Sequence, residues 1–164
     1  MIVVQFLVFT MGDKISERKK MTSGQHYDPM DAQLVKDRLR ARKLTRGYNT
    51  SIETDGASRT MIMRELLGTL GKNPYIEPTF KCDYGYNIHL GDNFYANFDC
   101  IFLDVAEIHI GDNCYMAPRV QLYTASHPIN AKERISGVEF GKSIKIGNNA
   151  WIGGGAIINP GESW

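Results

Sequence analysis

A period of six residues runs through the second half of this 164-residue chain. Leu90, Ala96 and Phe102 are six apart, as are Ile110, Met116 and Leu122, and again Ile146, Ile152 and Ile158. Gly91-Asp92-Asn93, Gly111-Asp112-Asn113 and Gly147-Asn148-Asn149 follow the first residue of each triplet. A short strand and a tight turn thus repeat, with one apolar side chain of each unit pointing inward. Gly and Asn supply the backbone angles that corners need. A single unit cannot bury its apolar face, so the units must stack as coils. The spacing predicts an all-β solenoid, a parallel β-helix of hexapeptide repeats, over residues 74–164. A β-sandwich also has short Gly-rich strands, but it would not keep one register across all three triplets.

Two departures from the period carry information. Phe102 and Ile110 are eight apart, which predicts a bulge or extended corner at Asp104–Glu107. Leu122 and Ile146 are 24 apart, a multiple of six, yet residues 124–140 lack the pattern. That segment reads as a loop leaving the coil, and a long loop on a rigid scaffold is more often a site than a packing element.

Ahead of the solenoid, residues 21–73 read as a small helical region. Residues 28–46 predict a helix capped by Asp28 or Asp31, with Pro29 in the first turn and Leu34, Val35, Leu39 and Leu44 inward. Residues 58–70 predict a second, with Met61, Ile62, Leu66, Leu67 and Leu70 inward and Gly71 as its stop. Asn49-Thr50-Ser51 is a glycosylation sequon with nothing else to suggest secretion. Residues 1–20 fit neither part. Residues 1–10 are apolar but too short to span a bilayer and have no signal-peptide pattern. They read either as an added strand or tail, or as an upstream start ahead of Met11.

A formal charge of +1 gives no basis for a nucleic-acid or polybasic membrane surface. Cys82, Cys100 and Cys114 are odd in number and form no CxxC pair, so reduced packing thiols and a cytoplasmic location are expected. Of the four histidines, His127 stands out, at the start of the ejected loop in Ala125-Ser126-His127-Pro128. It reads either as a general base or as a surface loop residue. His89 and His109 occupy equivalent places beside repeat turns, which suggests outward structural positions. No ligand set has metal-site spacing, so no metal is expected. Gly153-Gly154-Gly155 lacks nucleotide-fingerprint spacing. It reads either as close backbone packing at a corner or as room for an extended thiol cofactor arm.

Several segments together resemble the maltose, galactoside and nodulation sugar O-acetyltransferases, which are left-handed β-helix acyltransferases. They are the YDPMD opening at 27–31, the helix with Arg38, Arg40 and Arg42, and YGYNIHLG at 84–91. NFYANF at 93–98, TASHP at 124–128 and IGNNAWIGGGAIINP at 146–160 complete the set. The resemblance covers roughly residues 21–161. It implies acetyl transfer from acetyl-CoA to a hydroxyl of a sugar, a homotrimer with each site between two subunits, and no metal, nucleic-acid or membrane partner. By position it makes His127 the general base. It sets Asn97 beside the acceptor or reacting carbonyl, and Asp28, Tyr86 and Asp104 on the acceptor side. Gly153, Gly154 and Ala156 fall along the cofactor arm. Tyr86 and Tyr123 offer surfaces to a sugar ring. The family pattern continues past Pro160, so a chain ending Gly161-Glu162-Ser163-Trp164 is expected to have a partial donor side, with Trp164 in the next register position. The alternatives are a non-catalytic hexapeptide-repeat trimer that binds sugar or assembles, and an O-acetyltransferase for a non-sugar hydroxyl.

Overall fold

The computed structural model describes residues 15–164, and the readings made of residues 1–10 lie outside them. Three helices lead the chain: α1 (Glu17–Thr22), α2 (Ala32–Asn49) and α3 (Gly56–Leu66). The sequence reading missed α1, whose N-cap is Ser16. Asp31 caps α2, accepting from the Gln33 and Leu34 amides at 3.0 and 3.2 Å, so Pro29 lies outside the helix. Leu34, Ala41, Thr45 and Tyr48 form the buried face of α2. Leu39, expected inward, is 62% exposed. It sits five residues past Leu34, about 140° around the helix. In α3 the buried residues are Arg59, Met63 and Leu66, and Met61 points to solvent.

The second helix ends earlier than expected, at Leu66, and Leu70 belongs to a strand. A Cβ on Gly68 would lie 2.3 Å from the Tyr86 carbonyl, so the chain passes against the next coil there. The solenoid therefore begins at Thr69, ahead of the expected residue 74. Asn49, the sequon asparagine, ties α2 to it: its side chain donates to the Phe80 carbonyl and accepts from the Phe80 amide, both at 2.9 Å.

Three parallel four-stranded sheets make the faces of a prism. Face 1 stacks β1 (Thr69–Leu70), β4 (Ile88–Leu90), β7 (Ile108–Ile110) and β12 (Ile144–Ile146). Face 2 stacks β2 (Tyr75–Ile76), β5 (Tyr95–Ala96), β8 (Tyr115–Met116) and β13 (Trp151–Ile152). Face 3 stacks β3 (Lys81–Cys82), β6 (Ile101–Leu103), β9 (Gln121–Tyr123) and β14 (Ile157–Ile158). This is the left-handed β-helix fold. Ile88 pairs with Ile108, Tyr95 with Tyr115 and Ile101 with Gln121, so one coil takes 20 residues. The eight-residue step thus recurs in each coil and marks the corner between faces 3 and 1. Next come Ile144, Trp151 and Ile157, each 36 residues on, because the loop intervenes. β10 (Ala125–Ser126) and β11 (Phe140–Gly141) pair antiparallel at the loop's stem, and α4 (Ala131–Ile135) lies within it. The three cysteines are buried and free, as expected. No helix among the described residues is long and apolar enough to cross a membrane.

Side chains stack in columns at the corner between faces 1 and 2. The Lys72 amide donates to Asp92, the Asp92 amide to Asp112 and the Asp112 amide to Asn148, at 2.7–2.8 Å. Beside it runs an asparagine column, Asn73 to Asn93 to Asn113 to Asn149, at 2.9–3.1 Å. Those four asparagines have φ of 51–60°, a conformation that asparagine adopts more readily than most residues. A Cβ on Gly111 would sit 2.3 Å from the Asn148 side-chain oxygen. Ser163 bridges Lys145 in parallel, so Trp164 takes the expected register place, and it is 75% exposed there.

Gly111→Ala is expected to destabilise the protein by about 1–3 kcal/mol through overpacking between coils. Gly47→Ala, in α2 with nothing within 4 Å of the new methyl group, should stabilise it by about 1 kcal/mol. Urea denaturation midpoints of the two variants check both signs.

Candidate active site on two edges of the prism

The corner between faces 3 and 1 is built around a buried carboxylate. Asp104 is fully buried. It accepts from the Asp83 and Tyr84 amides at 3.0 and 2.9 Å and from the Asn87 amide at 3.4 Å. The Asn87 side chain donates to the Asp104 carbonyl at 2.7 Å. Burial, reinforced by the nearby Asp83, outweighs these amide donors and pushes the Asp104 carboxyl up to about 7. One coil further on, Thr124 is equally buried. Its hydroxyl donates to the Leu103 carbonyl at 2.6 Å and accepts from the Ala106 amide at 2.9 Å.

From that anchor the chain leaves the coil. β10 and β11 form a ribbon, with Ala125 opposite Gly141 and Ser126 opposite Phe140. Gly141 is required there, because a Cβ would lie 2.8 Å from Val105 and 3.0 Å from Ala106. His127 follows the ribbon directly and is exposed, while Pro128 behind it is buried. Arg134 of α4 donates to the Pro128 and Ile129 carbonyls at 3.1 and 2.9 Å, closing the loop back on itself. His127 is thus held by backbone on both sides. No side chain among the described residues bonds its imidazole. It opens onto a cleft of about 530 Å³ with Ser126, Asn130, Glu133, Phe140 and Lys142 in its walls.

The N-terminal segment packs on the same loop. Tyr27 bridges Glu139 in antiparallel fashion and donates its hydroxyl to the Glu139 carboxylate at 2.7 Å. His26 lies 3.3 Å from Glu133 and 5.4 Å from the Phe140 ring. Asp28, next in sequence, is exposed beside the loop and accepts from the Met30 amide at 2.8 Å. Tyr86 packs with Ala125 against a small cluster of Met21, Tyr27, Leu34, Tyr84 and Val105. Its hydroxyl donates to Asp37 at 3.1 Å, and the Arg18 guanidinium lies 4.0 Å over its ring. His127, Asp28, Tyr86 and Asp104 therefore belong to one edge. Asp104 has no exposed surface, so on this edge it holds backbone and does not face a cleft.

The other residues that the resemblance singles out lie on the edge between faces 2 and 3. Asn97 follows β5 and its amide donates to the Met116 carbonyl at 2.9 Å. In the same column, Ala117 donates to the Ile152 carbonyl, just before Gly153. The Asn97 side-chain oxygen accepts from the Phe98 amide at 2.8 Å, and its NH₂ has no partner among the described residues. A Cβ on Gly153 or Gly155 would meet nothing within 4 Å, and one on Gly154 would meet the Pro118 carbonyl at 3.3 Å. Close packing therefore does not account for three consecutive glycines; only Gly155, at φ 72°, needs to be one for its backbone angle. Ala156 is half-buried below them. Asn97, Gly153, Gly154 and Ala156 thus share the edge between faces 2 and 3, whereas the strand leading to His127 leaves from the edge between faces 3 and 1.

Burial pushes the Cys82 and Cys100 thiols up, which argues against either as a nucleophile. Sequence reading missed one cluster. His89, Glu107 and His109 place ligand atoms within 4.8 Å of one another on face 1. The 20-residue coil brings the two histidines together, a separation far longer than local metal-motif spacing.

Comparison with known proteins gives a consistent picture. The family described as "Maltose acetyltransferase hexapeptide capping motif" matches residues 20–71. A solved maltose O-acetyltransferase from Clostridium difficile 630 is 53% identical, with a TM-score of 0.90, over 91% of this chain and 80% of its own. A hexapeptide-repeat-containing acetyltransferase from Vibrio cholerae, solved with acetyl coenzyme A, is 37% identical with a TM-score of 0.83. That match covers 91% of this chain and 80% of the other. Nodulation protein L of Rhizobium meliloti is 40% identical over 146 residues, 89% of this chain and 80% of its own.

Asp104 yields a stability prediction with a definite sign. Its folded pKa, about 7, lies above the ordinary carboxylate value, so the folded chain holds this proton more tightly than the unfolded one. The contribution is complete below about pH 4 and fades as pH rises to about 7. Wild-type stability should carry a term falling by up to about 1.4 kcal/mol per pH unit across that window. Urea titrations from pH 4.5 to 7.5 should show this term, and Asp104→Asn should lack it.

Proposed function

We propose that this chain, which belongs to the hexapeptide-repeat acyltransferases of the maltose, galactoside and nodulation type, transfers an acetyl group from acetyl-CoA to a hydroxyl of a sugar, with His127 as general base. The observation that carries this reading is the division of the site between two edges. The base, Asp28 and Tyr86 line one edge. Asn97 and the open glycine run line the other. In a ring of three copies, the His127 edge of one copy packs against the Asn97 edge of the next, and such a head-to-tail interface closes on itself.

The chemistry then follows from the groups at hand. The acceptor hydroxyl lies in the cleft beside His127, whose imidazole has no side-chain partner and is free to accept its proton. The hydroxyl oxygen attacks the thioester carbon as that proton leaves. The carbonyl becomes an oxyanion, met by the free NH₂ of Asn97 and by backbone N–H groups at the glycine corner. Collapse of the tetrahedral intermediate breaks the C–S bond. The imidazolium returns its proton to the departing sulfur, giving CoA thiol and the acetyl ester. Gly153 and Gly154 leave room along the edge for the extended arm of the cofactor, over the half-buried Ala156. Asp104 and Thr124 act at one remove, by fixing the corner from which the His127 strand departs. Asp28 and Tyr86 serve as acceptor-side groups, and no metal takes part.

A second reading, a non-catalytic trimer that binds sugar or assembles, draws on the lack, among the described residues, of a carboxylate bonded to His127. A third keeps the chemistry and changes the acceptor to a non-sugar hydroxyl. Acetyl-CoA-dependent thiol release with glucose, maltose and a galactoside separates these. The enzyme reading expects acceptor-dependent release. Release that depends on an added non-sugar alcohol but not on any sugar favours the third, and none from folded trimer favours the second.

His127→Ala is expected to lower kcat by roughly 10²–10⁴-fold with the assembly intact. Asn97→Ala should also be impaired. Unfolding and refolding the two variants together at equal amounts should restore roughly a quarter of the wild-type rate, the share of interfaces that pair two intact edges. No recovery from mixed assemblies would show that both residues act within one copy. Gly153→Val should raise KM for acetyl-CoA while leaving the thermal midpoint unchanged.

A further inference from the structure

Face 1 carries a column of side chains that the proposed acyl transfer does not use. In register down the sheet stand Thr69, His89, His109 and Lys145. The ladder sets adjacent strands about 4.8 Å apart, so outward residues one coil apart stand nearly in contact. The His89 and His109 rings are accordingly stacked, 4.5 Å between centroids and 10° from parallel. Glu107 lies two residues before His109 on the same side of the strand, and its carboxylate is 2.7 Å from His109 Nε2. Thr69 Oγ1 is 3.2 Å from His89 Nδ1, which occupies that nitrogen and leaves Nε2 of His89 for another partner.

We infer that His89, Glu107 and His109 form a binding site for a divalent transition-metal ion of the zinc class, joining two successive coils. Two imidazole nitrogens and one carboxylate oxygen are a donor set that such ions take, and one that magnesium or calcium does not favour. Their ligand atoms lie within 4.8 Å of one another. Donors around a tetrahedral zinc ion, bound at about 2.0–2.2 Å, are about 3.4 Å apart. The adjustment needed is modest. Stacked rings point their in-plane lone pairs side by side, so one ring must turn about its Cβ–Cγ bond. Glu107 must swing from its hydrogen bond to share the ion. Both motions are open to these side chains, because His109 and Glu107 are 44% and 50% exposed. A zinc ion imposes no directional preference of its own that would resist this. The shallow depression over the column leaves the fourth position to water or to a further ligand.

Lys145 bears on the strength of the site. It follows His109 in the column and brings a positive charge to the strand next to two of the three ligands. A second positive charge there opposes metal binding, so removing it should tighten the site. The ion would stabilise the fold by linking the coil of β4 to the coil of β7 in the folded state alone.

The test uses the whole chain after treatment with chelator, and two probes, Zn²⁺ and Co²⁺ alone. Zn²⁺ is expected to raise the thermal midpoint, saturating at one ion per chain. Co²⁺ should give the visible absorption of a four-coordinate nitrogen–oxygen site. His89→Ala, His109→Ala and Glu107→Ala should each lose both signals. Lys145→Gln should retain them at lower metal concentration. His127→Ala should bind as the wild type does, which separates this site from the proposed base. A wild-type chain with neither signal overturns the proposal. So does a signal that survives loss of His89 or His109, or one that vanishes with His127.

Discussion

Everything in this molecule depends on the parallel ladder that stacks one coil on the next. Because the ladder fixes adjacent strands about 4.8 Å apart, any residue must tolerate its own equivalents directly above and below. Apolar residues satisfy this inside, where Leu90, Ile110 and Ile146 form one column and Phe102 and Leu122 part of another. At the corners the same rule selects groups that both donate and accept. Asparagine can bond to asparagine indefinitely, and a carboxylate can accept from the amide of the coil before it. The Asn73–Asn149 column and the Asp92–Asn148 column are the two solutions found here. Glycine fills the places where the next coil's backbone comes too near for a Cβ.

The ladder also explains what was legible in the sequence. Ile110, Met116 and Leu122 repeat because each lies inside a face, so the period reports burial directly, and it located three faces and the loop. The helices were harder. Leu39 looks like a member of an apolar stripe by composition, but its angular position puts it in solvent, and Ala41 and Thr45 take the inward places. The start of the coil was also misjudged, since Thr69–Leu70 is one short strand with no preceding repeat to reveal its register. The columns of side chains were legible only as equivalent places, as for His89 and His109, and not as contacts. Their members lie 20 or 36 residues apart, and only the coil length shows which pairs meet.

The candidate site was legible in its parts and not in its arrangement. His127 stood out because it begins the one segment that breaks the period. The resemblance supplied Asn97, Asp28 and the glycine run. What sequence did not give is that these fall into two groups on separate edges. Nor did it show that Asp104, grouped with the acceptor side, is sealed inside the corner. Its neighbour Val105 looks like the buried member of the pair by chemistry, and both are buried. Three backbone amides converge on Asp104, and that demand for an acceptor, invisible in a list of residue types, sets its place.

A solenoid of this kind has rigid faces and exact spacing, but its edges are convex, and a convex edge cannot enclose a substrate. The ejected loop is one remedy. It is pinned by Thr124 at its root, by the β10–β11 ribbon along its stem and by Arg134 across its tip, so it adds a wall without adding freedom. Even so, the cleft beside His127 stays open on one side, and Asn97 sits on a different edge. In the proposed ring, a second copy would supply the missing wall and the donor in one step, because each copy carries both edges. Two separate edges on every chain, each carrying part of the proposed site, are what a cyclic assembly needs in order to make every interface a complete site. The proposed assembly would also account for three successive glycines on an edge where packing within one copy does not call for them: an edge that receives both a neighbouring copy and an extended thioester favours residues without side chains.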